Sequence, residues 1–295
     1  MSVGDQAAPA ISIIVPHYQD LHRLDLCLSA LMAQQGDLDF EIIVSDNMSP
    51  CGEARVLQAI AGRARLTMAT EKGAGPTRNA GVAAARGAVL AFTDSDCVPD
   101  PHWLARGVAA LSTYDFVGGR MVVLVADDGR MTGAEAFERV FAFNNRRYVE
   151  EEGFTVTANL FCARALFDHV GGFRTGLSED LEWCRRATTV GYRIGYAEDA
   201  VVGHPARADW GELVGKWRRI NAETFGLFKG RRHGRLKWGM RNLALPLSVI
   251  RHAPQVMRSP SIAGLPTRLR ALRTLAAIRL WRMGDAYRLL FRNPS

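Results

Sequence analysis

The first hundred residues alternate between two hydrophobic periods, and no other feature restricts the possible folds so strongly. Ile11-Ser12-Ile13-Ile14-Val15 is an apolar run stopped by Pro16, the pattern of a strand buried on both faces. Leu21, Leu24, Leu28, Leu31 and Met32 then recur at helical spacing. Glu41-Ile42-Ile43-Val44 is a second strand run, closed by Ser45-Asp46-Asn47. A helix over 53–61 and a short strand near 66–69 follow. The loop Lys72-Gly73-Ala74-Gly75 leads into an Ala-rich helix from Pro76 to about Ala85, with proline at a helix start, where it is tolerated. Val89-Leu90-Ala91-Phe92 completes a β-α-β-α-β-α-β series. The expected fold class is α/β, with a mostly parallel central sheet and helices on both faces.

Beyond residue 100 the order changes. The patterns predict a longer strand over 116–125, a helix over 133–148, a strand over 155–163 and a helix over 179–189 capped by Ser178. Short strands over 193–196 and 200–203 follow, the second ending at His204. The composition then turns basic. Residues 1–206 carry 18 Lys+Arg against 26 Asp+Glu, and residues 207–295 carry 19 against 4. Two domains are expected: an acidic α/β body over 1–206 and a basic helical extension over 207–295. A basic tail on an acidic body points to a polyanionic partner, nucleic acid or an anionic membrane surface.

The five cysteines form no C-x-x-C pair and are odd in number, which supports neither a disulfide framework nor a zinc site. A reducing cytosol is the expected setting. The first residues show no basic-then-apolar leader, and no apolar run is long enough to span a bilayer.

Carboxylates gather where strands end. Val89–Phe92 runs directly into Thr93-Asp94-Ser95-Asp96. In open α/β sheets ligands bind at the carboxyl ends of strands, and two carboxylates one residue apart suit a hard divalent cation. Read alone, the pair fits a solvated turn as well. Asp46 ends the second strand, where it can accept from ribose hydroxyls or close an Asx-turn. Arg78 falls on the first turns of a helix behind a glycine loop, a favourable place for an anion, or for a plain surface arginine. No G-K-[ST] follows those glycines, and Thr77-Arg78 stand where a third glycine would be needed, which counts against ATPase and dehydrogenase readings. Glu179, Asp180 and Glu182 crowd a helix start, either as dipole complements or as a site for a general base. His204 reads alone as a packed core histidine.

Together these segments resemble the family 2 glycosyltransferases of GT-A fold. The resemblance is carried by Ser12-Ile13-Ile14-Val15-Pro16-His17-Tyr18, Val44-Ser45-Asp46-Asn47, Gly75-Pro76-Thr77-Arg78-Asn79-Ala80-Gly81, Phe92-Thr93-Asp94-Ser95-Asp96 and Glu179-Asp180-Leu181-Glu182-Trp183. It implies an inverting transfer from a nucleotide-diphospho-sugar, a UDP-sugar first among donors, to a glycan or lipid-linked acceptor. It also implies a divalent metal, Mg2+ or Mn2+. Pro16, Tyr18, Asp46, Arg78, Asp94 and Ser95 would bind the donor. Asp96, Asp94 and His204 would hold the metal. Asp180 would be the catalytic base, with Glu179 and Trp183 on the acceptor side. Ser45 stands where the family more often has a second aspartate, which leaves the base of the nucleotide open.

Two other function classes compete. A sugar nucleotidyltransferase resembles a G-x-G-x-R-L loop after the first strand, and Pro16-His17-Tyr18-Gln19 stands there instead. A non-catalytic nucleic-acid or membrane binder would use the basic tail, but no RNA- or DNA-binding motif is present and no nucleic acid is expected. In that tail, Leu269, Leu272, Ala276, Leu280, Met283, Tyr287 and Leu290 form a helical stripe beside Arg268, Arg273 and Arg279. The pattern suits a helix in a membrane interface, or one packed on the body. The expected place is the cytoplasm, at the inner face of the plasma membrane, in cell-envelope polysaccharide synthesis.

Overall fold

The computed structural model describes residues 8–175, 178–230 and 232–291. Residues 1–7, in which no leader is expected, and Gly176-Leu177 before the acidic helix lie outside them. The chain divides into two compact units: Met1–Val122 with Asn144–His204, and Val123–Phe143 with Pro205–Ser295.

The first unit is built on a sheet. In chain order its elements are β1 (Ile11–His17), α1 (Leu21–Met32), β2 (Phe40–Asp46), α2 (Glu53–Ile60), β3 (Arg65–Met68), α3 (Ala74–Ala84), β4 (Val89–Phe92), β5 (Val98–Pro99), α4 (Trp103–Ala110) and β6 (Phe116–Leu124). After the segment given to the second unit, α5 (Gly133–Phe141), come α6 (Asn145–Glu152), a 3-10 turn (Thr157–Asn159), β7 (Leu160–Ala163), α7 (Arg164–Val170), α8 (Glu179–Thr189) and β8 (Ile194–Pro205). The strand order is β3-β2-β1-β4-β7-β6-β8-β5.

The sheet is mixed rather than mostly parallel. β1 pairs in parallel with β2 and β4, and β2 with β3, while β7 is antiparallel to both β4 and β6, and β5 is antiparallel to β8. The parallel half is the part with helical crossovers between its strands, which parallel pairing requires. Elsewhere, the helix expected over 133–148 is two helices, α5 and α6, and the two short strands after α8 are one continuous strand, β8.

Strand alternation sorts the core into two layers. Ile11, Ile13, Val15, Ile42, Val44 and Ala91 pack with Leu24, Cys27, Leu28 and Leu31 of α1. Ile14, Ile43, Leu90 and Phe92 face the other way, with Val82 of α3 and Trp183 of α8. The period of two along each strand produces this division. α3 sits close on β1 because of Gly81, where a Cβ would fall 2.6 Å from Ile14 Cγ2.

The second unit is helical: α5, then α9 (Trp210–Lys229), α10 (Gly234–Leu243), α11 (Leu247–Arg258) and α12 (Leu265–Phe291). A separate core joins Met131, Ala134, Ala136 and Phe137 to Leu213, Val256, Ala271, Leu275 and Ile278. The buried face of α12 is thus Ala271, Leu275, Ile278, Arg282 and Ala286, and the stripe expected to face a membrane flanks that seam, with Leu269 and Leu280 exposed.

Candidate active site

Parallel register brings the ends of β1 and β2 together, with His17 opposite Asp46. Asp46 is buried, and its Oδ1 accepts from Ser49 Oγ at 2.6 Å and lies 2.7 Å from His17 Nδ1, while its Oδ2 accepts from Ser49 N at 2.7 Å. The other ring nitrogen of His17, Nε2, is buried without a hydrogen-bond partner among the described residues. Next along, Asn47 Oδ1 accepts from Gly73 N at 3.2 Å, tying the glycine loop to this strand end. Gly73 has φ +132°, a left-handed value that favours glycine. Pro16 is half-buried in β1 and Tyr18 is exposed just beyond it.

Arg78 is the hub of the site. It projects from the first turns of α3 with its side chain only 5% exposed. Its Nη2 donates to Asp94 Oδ1 at 2.5 Å and its Nη1 to Glu179 Oε1 at 3.0 Å. One guanidinium therefore joins the end of β4 to the start of α8, and these two carboxylates hold its proton more tightly against the pull of burial. Asn79, on the next position of α3, clamps Phe173 through Nδ2 to O at 2.8 Å and Phe173 N to Oδ1 at 2.9 Å. That clamp sets the chain that leads into α8.

Asp180 lies on the first turn of α8. Its Oδ1 accepts from Ser178 Oγ at 2.8 Å and from Leu181 N at 2.7 Å. Burial pushes its pKa above the ordinary aspartate value, although these hydrogen bonds and the charge of Arg78 pull it down. A helix start by itself favours the ionised carboxylate; desolvation outweighs it here.

Asp96 and His204 meet through β5. Antiparallel pairing of Val98 with Gly203 and Pro99 with Val202 carries His204 back to the turn after β4. His204 Nε2 lies 3.5 Å from Asp96 Oδ2. The dipeptide β5 is too short to show as a strand pattern, so periodicity gave His204 no partner and the family resemblance alone set it with Asp96. Ser95 is half-buried between the two aspartates. Beneath them, burial and then the charges of Asp96 and Asp94 push the thiol of Cys27 far up, and Cys97 likewise, so both remain protonated.

No group of three His, Cys, Asp or Glu among the described residues is poised as a metal cage. Asp96 and His204 offer one oxygen and one nitrogen donor, and Asp94 is turned to Arg78. Two protein ligands suit Mg2+ or Mn2+ when substrate phosphates and water complete the shell, so the residues fit such an ion.

Trp183 does not reach an acceptor side. It is fully buried beneath α8, edge-on to Phe116 and stacked with Phe167, and its Nε1 donates to Gly171 O at 3.0 Å. Glu179 is engaged by Arg78 rather than free. The sequence assigns no role to His17, Asn47, Asn79 or Ser49, although the first three stand in the family motifs. The available signal was His17 closing one strand while Asp46 closes its neighbour.

Comparison with known proteins identifies the family. A family model described as Glycosyl transferase family 2 matches residues 12–181. Glycosyltransferase AglE of Haloferax volcanii is 32% identical over 221 residues, which is 72% of this chain and 72% of that protein. A Pre-mycofactocin glycosyltransferase of Mycobacterium tuberculosis is 31% identical over 150 residues, 47% of this chain and 32% of that one. Among solved structures, mannosyltransferase PcManGT from Pyrobaculum calidifontis, in complex with GDP-Man and Mn2+, aligns with a TM-score of 0.59 at 18% identity, covering 97% of this chain and 88% of that one. TarS 1-349 of S. aureus, in complex with UDP-GlcNAc, aligns with a TM-score of 0.51 at 18% identity, covering 95% and 91%. At these identities the structural likeness speaks to fold.

Proposed function

The chain belongs to glycosyl transferase family 2 and is a glycosyltransferase of GT-A fold, and we propose that it moves a sugar with inversion from a nucleotide-diphospho-sugar to an acceptor hydroxyl. The observation that carries this reading is Arg78 held between Asp94 and Glu179, with Asp180 the next residue along α8. A cationic fork for a diphosphate and a desolvated carboxylate for a hydroxyl proton then share one strand-end site.

In this reading Asp46 holds the nucleoside beside Pro16 and Tyr18, with His17 and Ser49 fixing the carboxylate. Arg78 and Ser95 face the diphosphate and Asp94 the ribose or metal. Asp96 and His204 would hold Mg2+ or Mn2+, with Asp94 available as a further ligand; such an ion supplies Lewis-acid neutralisation of the departing diphosphate. Asp180 takes the acceptor proton as the hydroxyl attacks the face opposite the leaving group. Its raised pKa suits this work, because a base nearer the working pH transfers protons more effectively. A UDP-sugar is the first donor to try and a GDP-sugar the second, since TarS is described with UDP-GlcNAc and PcManGT with GDP-Man. Release of nucleotide from a panel of UDP-, GDP- and dTDP-sugars, with and without Mn2+, tests the proposal. No release from any donor with any acceptor preparation would refute it.

The acceptor we propose is a glycan or lipid-linked glycan at the inner face of the plasma membrane, reached by peripheral contact through the C-terminal helices. Residues 224–284 hold 13 Lys+Arg and no Asp or Glu, which favours anionic lipid. The exposed apolar face belongs to α10 and α11: Leu236, Met240, Leu243, Leu247 and Ile250 project outward at spacings of four and three. On α10 this face lies opposite Trp238 and Asn242, which are buried. No described helix is long and apolar enough to cross a membrane, so the contact is interfacial.

A further inference from the structure

A buried charge is tolerated when it is paired, and the second unit shows how such pairing is done. Glu138 of α5, fully buried, takes Lys216 Nζ at 2.7 Å and the backbone N–H of Arg207 at 2.9 Å. Asp285 of α12 takes Arg288 at 2.6 Å on one oxygen and Asn221 Nδ2 at 3.1 Å on the other.

Arg282 breaks the pattern. Its residue is 9% exposed, and its guanidinium carbon lies 3.7 Å from the centroid of the Trp217 ring. Its Nε is buried with no hydrogen-bond partner among the described residues. The same holds for Nε of Arg279, one turn earlier on α12, and for the indole Nε1 of Trp217 on α9. Three buried donors thus have no acceptor among the described residues. Asp285, the acid nearest in sequence, is already spent on Arg288 and Asn221, and no acid occurs in α10 or α11. Burial, and then the charges of Arg279 and Arg241, push Arg282 down to about 9.

A site rich in donors and short of acceptors lacks an anion. We infer that α9 and α12 form a phosphate-binding site, in which Arg282, stacked on Trp217, and Arg279 hold the oxygens of a phosphate group. The planar fork of arginine fits two phosphate oxygens, and stacking on an indole preorganises it. The phosphate is either a free ion or the headgroup of a lipid. All of these residues lie in the second unit, so the inference does not depend on the transfer reaction.

Trp217 provides a local reporter. Full-length protein is titrated with inorganic phosphate against sodium chloride of equal ionic strength, and separately with phosphatidic acid against phosphatidylcholine vesicles. Fluorescence is read as the difference between wild type and Trp217→Phe. A saturable change is expected in one or both arms; saturation by phosphate assigns the free ion, saturation only by phosphatidic acid the headgroup. Arg282→Met should abolish the change and Arg279→Met should weaken it at least tenfold. Without phosphate, Arg282→Met should melt no lower than wild type, because it removes an uncompensated charge while keeping the apolar stem. An unsaturable response in both arms, or curves unaltered in Arg279→Met, would overturn the inference even were Arg282→Met to misfold.

Discussion

Arg78 and Glu179, 101 positions apart in sequence, meet at 3.0 Å, and through that contact α3 fixes the start of the helix that carries Asp180. The same guanidinium grips Asp94, so loss of Arg78 leaves two carboxylates facing each other. Arg78→Met should lower transfer by at least ~10²-fold, the scale expected when a preorganised charge is removed. It should also cost about 1–3 kcal/mol of stability, below the usual figure for a broken buried pair because both carboxylates are partly open to solvent. Arg78→Lys cannot bridge both partners and should recover stability better than turnover. Denaturant unfolding alongside an activity assay separates the two effects.

The acid limb of the rate profile should report Asp180. Burial raises its folded pKa, so the reactive, ionised form is lost on acidification at a pH above the ordinary aspartate value of ~3.9. The stability sign is opposite to that of a salt-bridged acid. A raised pKa means stability is full below the unfolded value and declines as pH rises through the folded one. Asp180→Asn should therefore melt at or above wild type at pH near 7, and the difference should vanish in acid. Melting curves across pH check this.

His17 should act through donor affinity rather than the chemical step. It lies 2.7 Å from Asp46, so His17→Ala frees a carboxylate expected to hold the nucleoside. The expected result is a donor KM raised about tenfold, one hydrogen bond to a charged group, with kcat little changed. A proportional fall in kcat with KM constant would assign His17 to another role.

Much of this site was legible as strand ends. β1, β2 and β4 could be read because each is an apolar run ending sharply in polar residues, and their carboxyl ends carry Asp46 and Asp94–Asp96. What could not be read is pairing across long separations. β5 has two residues, yet it alone brings His204 to Asp96. Strands over 116–125 and 155–163 could be read, but their antiparallel pairing could not, because an apolar run carries no mark of its partner's direction. In the tail, α12 carries apolar residues on more than one face, so its stripe gave no way to choose the packed side; the tertiary contacts chose Ala271, Leu275 and Ile278. Trp183 reads as part of a catalytic motif, but its neighbours Phe116 and Phe167 place it in the core.

Membrane contact should depend on α10 and α11. Leu243→Glu with Ile250→Glu places charge on two of the exposed apolar positions without touching the buried Trp238. In flotation with phosphatidylglycerol vesicles, wild type should rise with the lipid at low salt and the double variant should stay behind. Binding should weaken as salt increases, because part of the attraction is Coulombic. Flotation of the double variant equal to wild type would remove this face from the contact.

The most direct test of the transfer mechanism is Asp180→Asn, compared with wild type for sugar transfer and for the thermal shift given by the nucleotide-sugar that wild type turns over. Loss of a positioned base should reduce transfer by ~10²- to 10⁴-fold, while the donor still stabilises the variant as it does wild type. Turnover unchanged in that variant would contradict the account, because no carboxylate at the start of α8 would then be taking the acceptor proton.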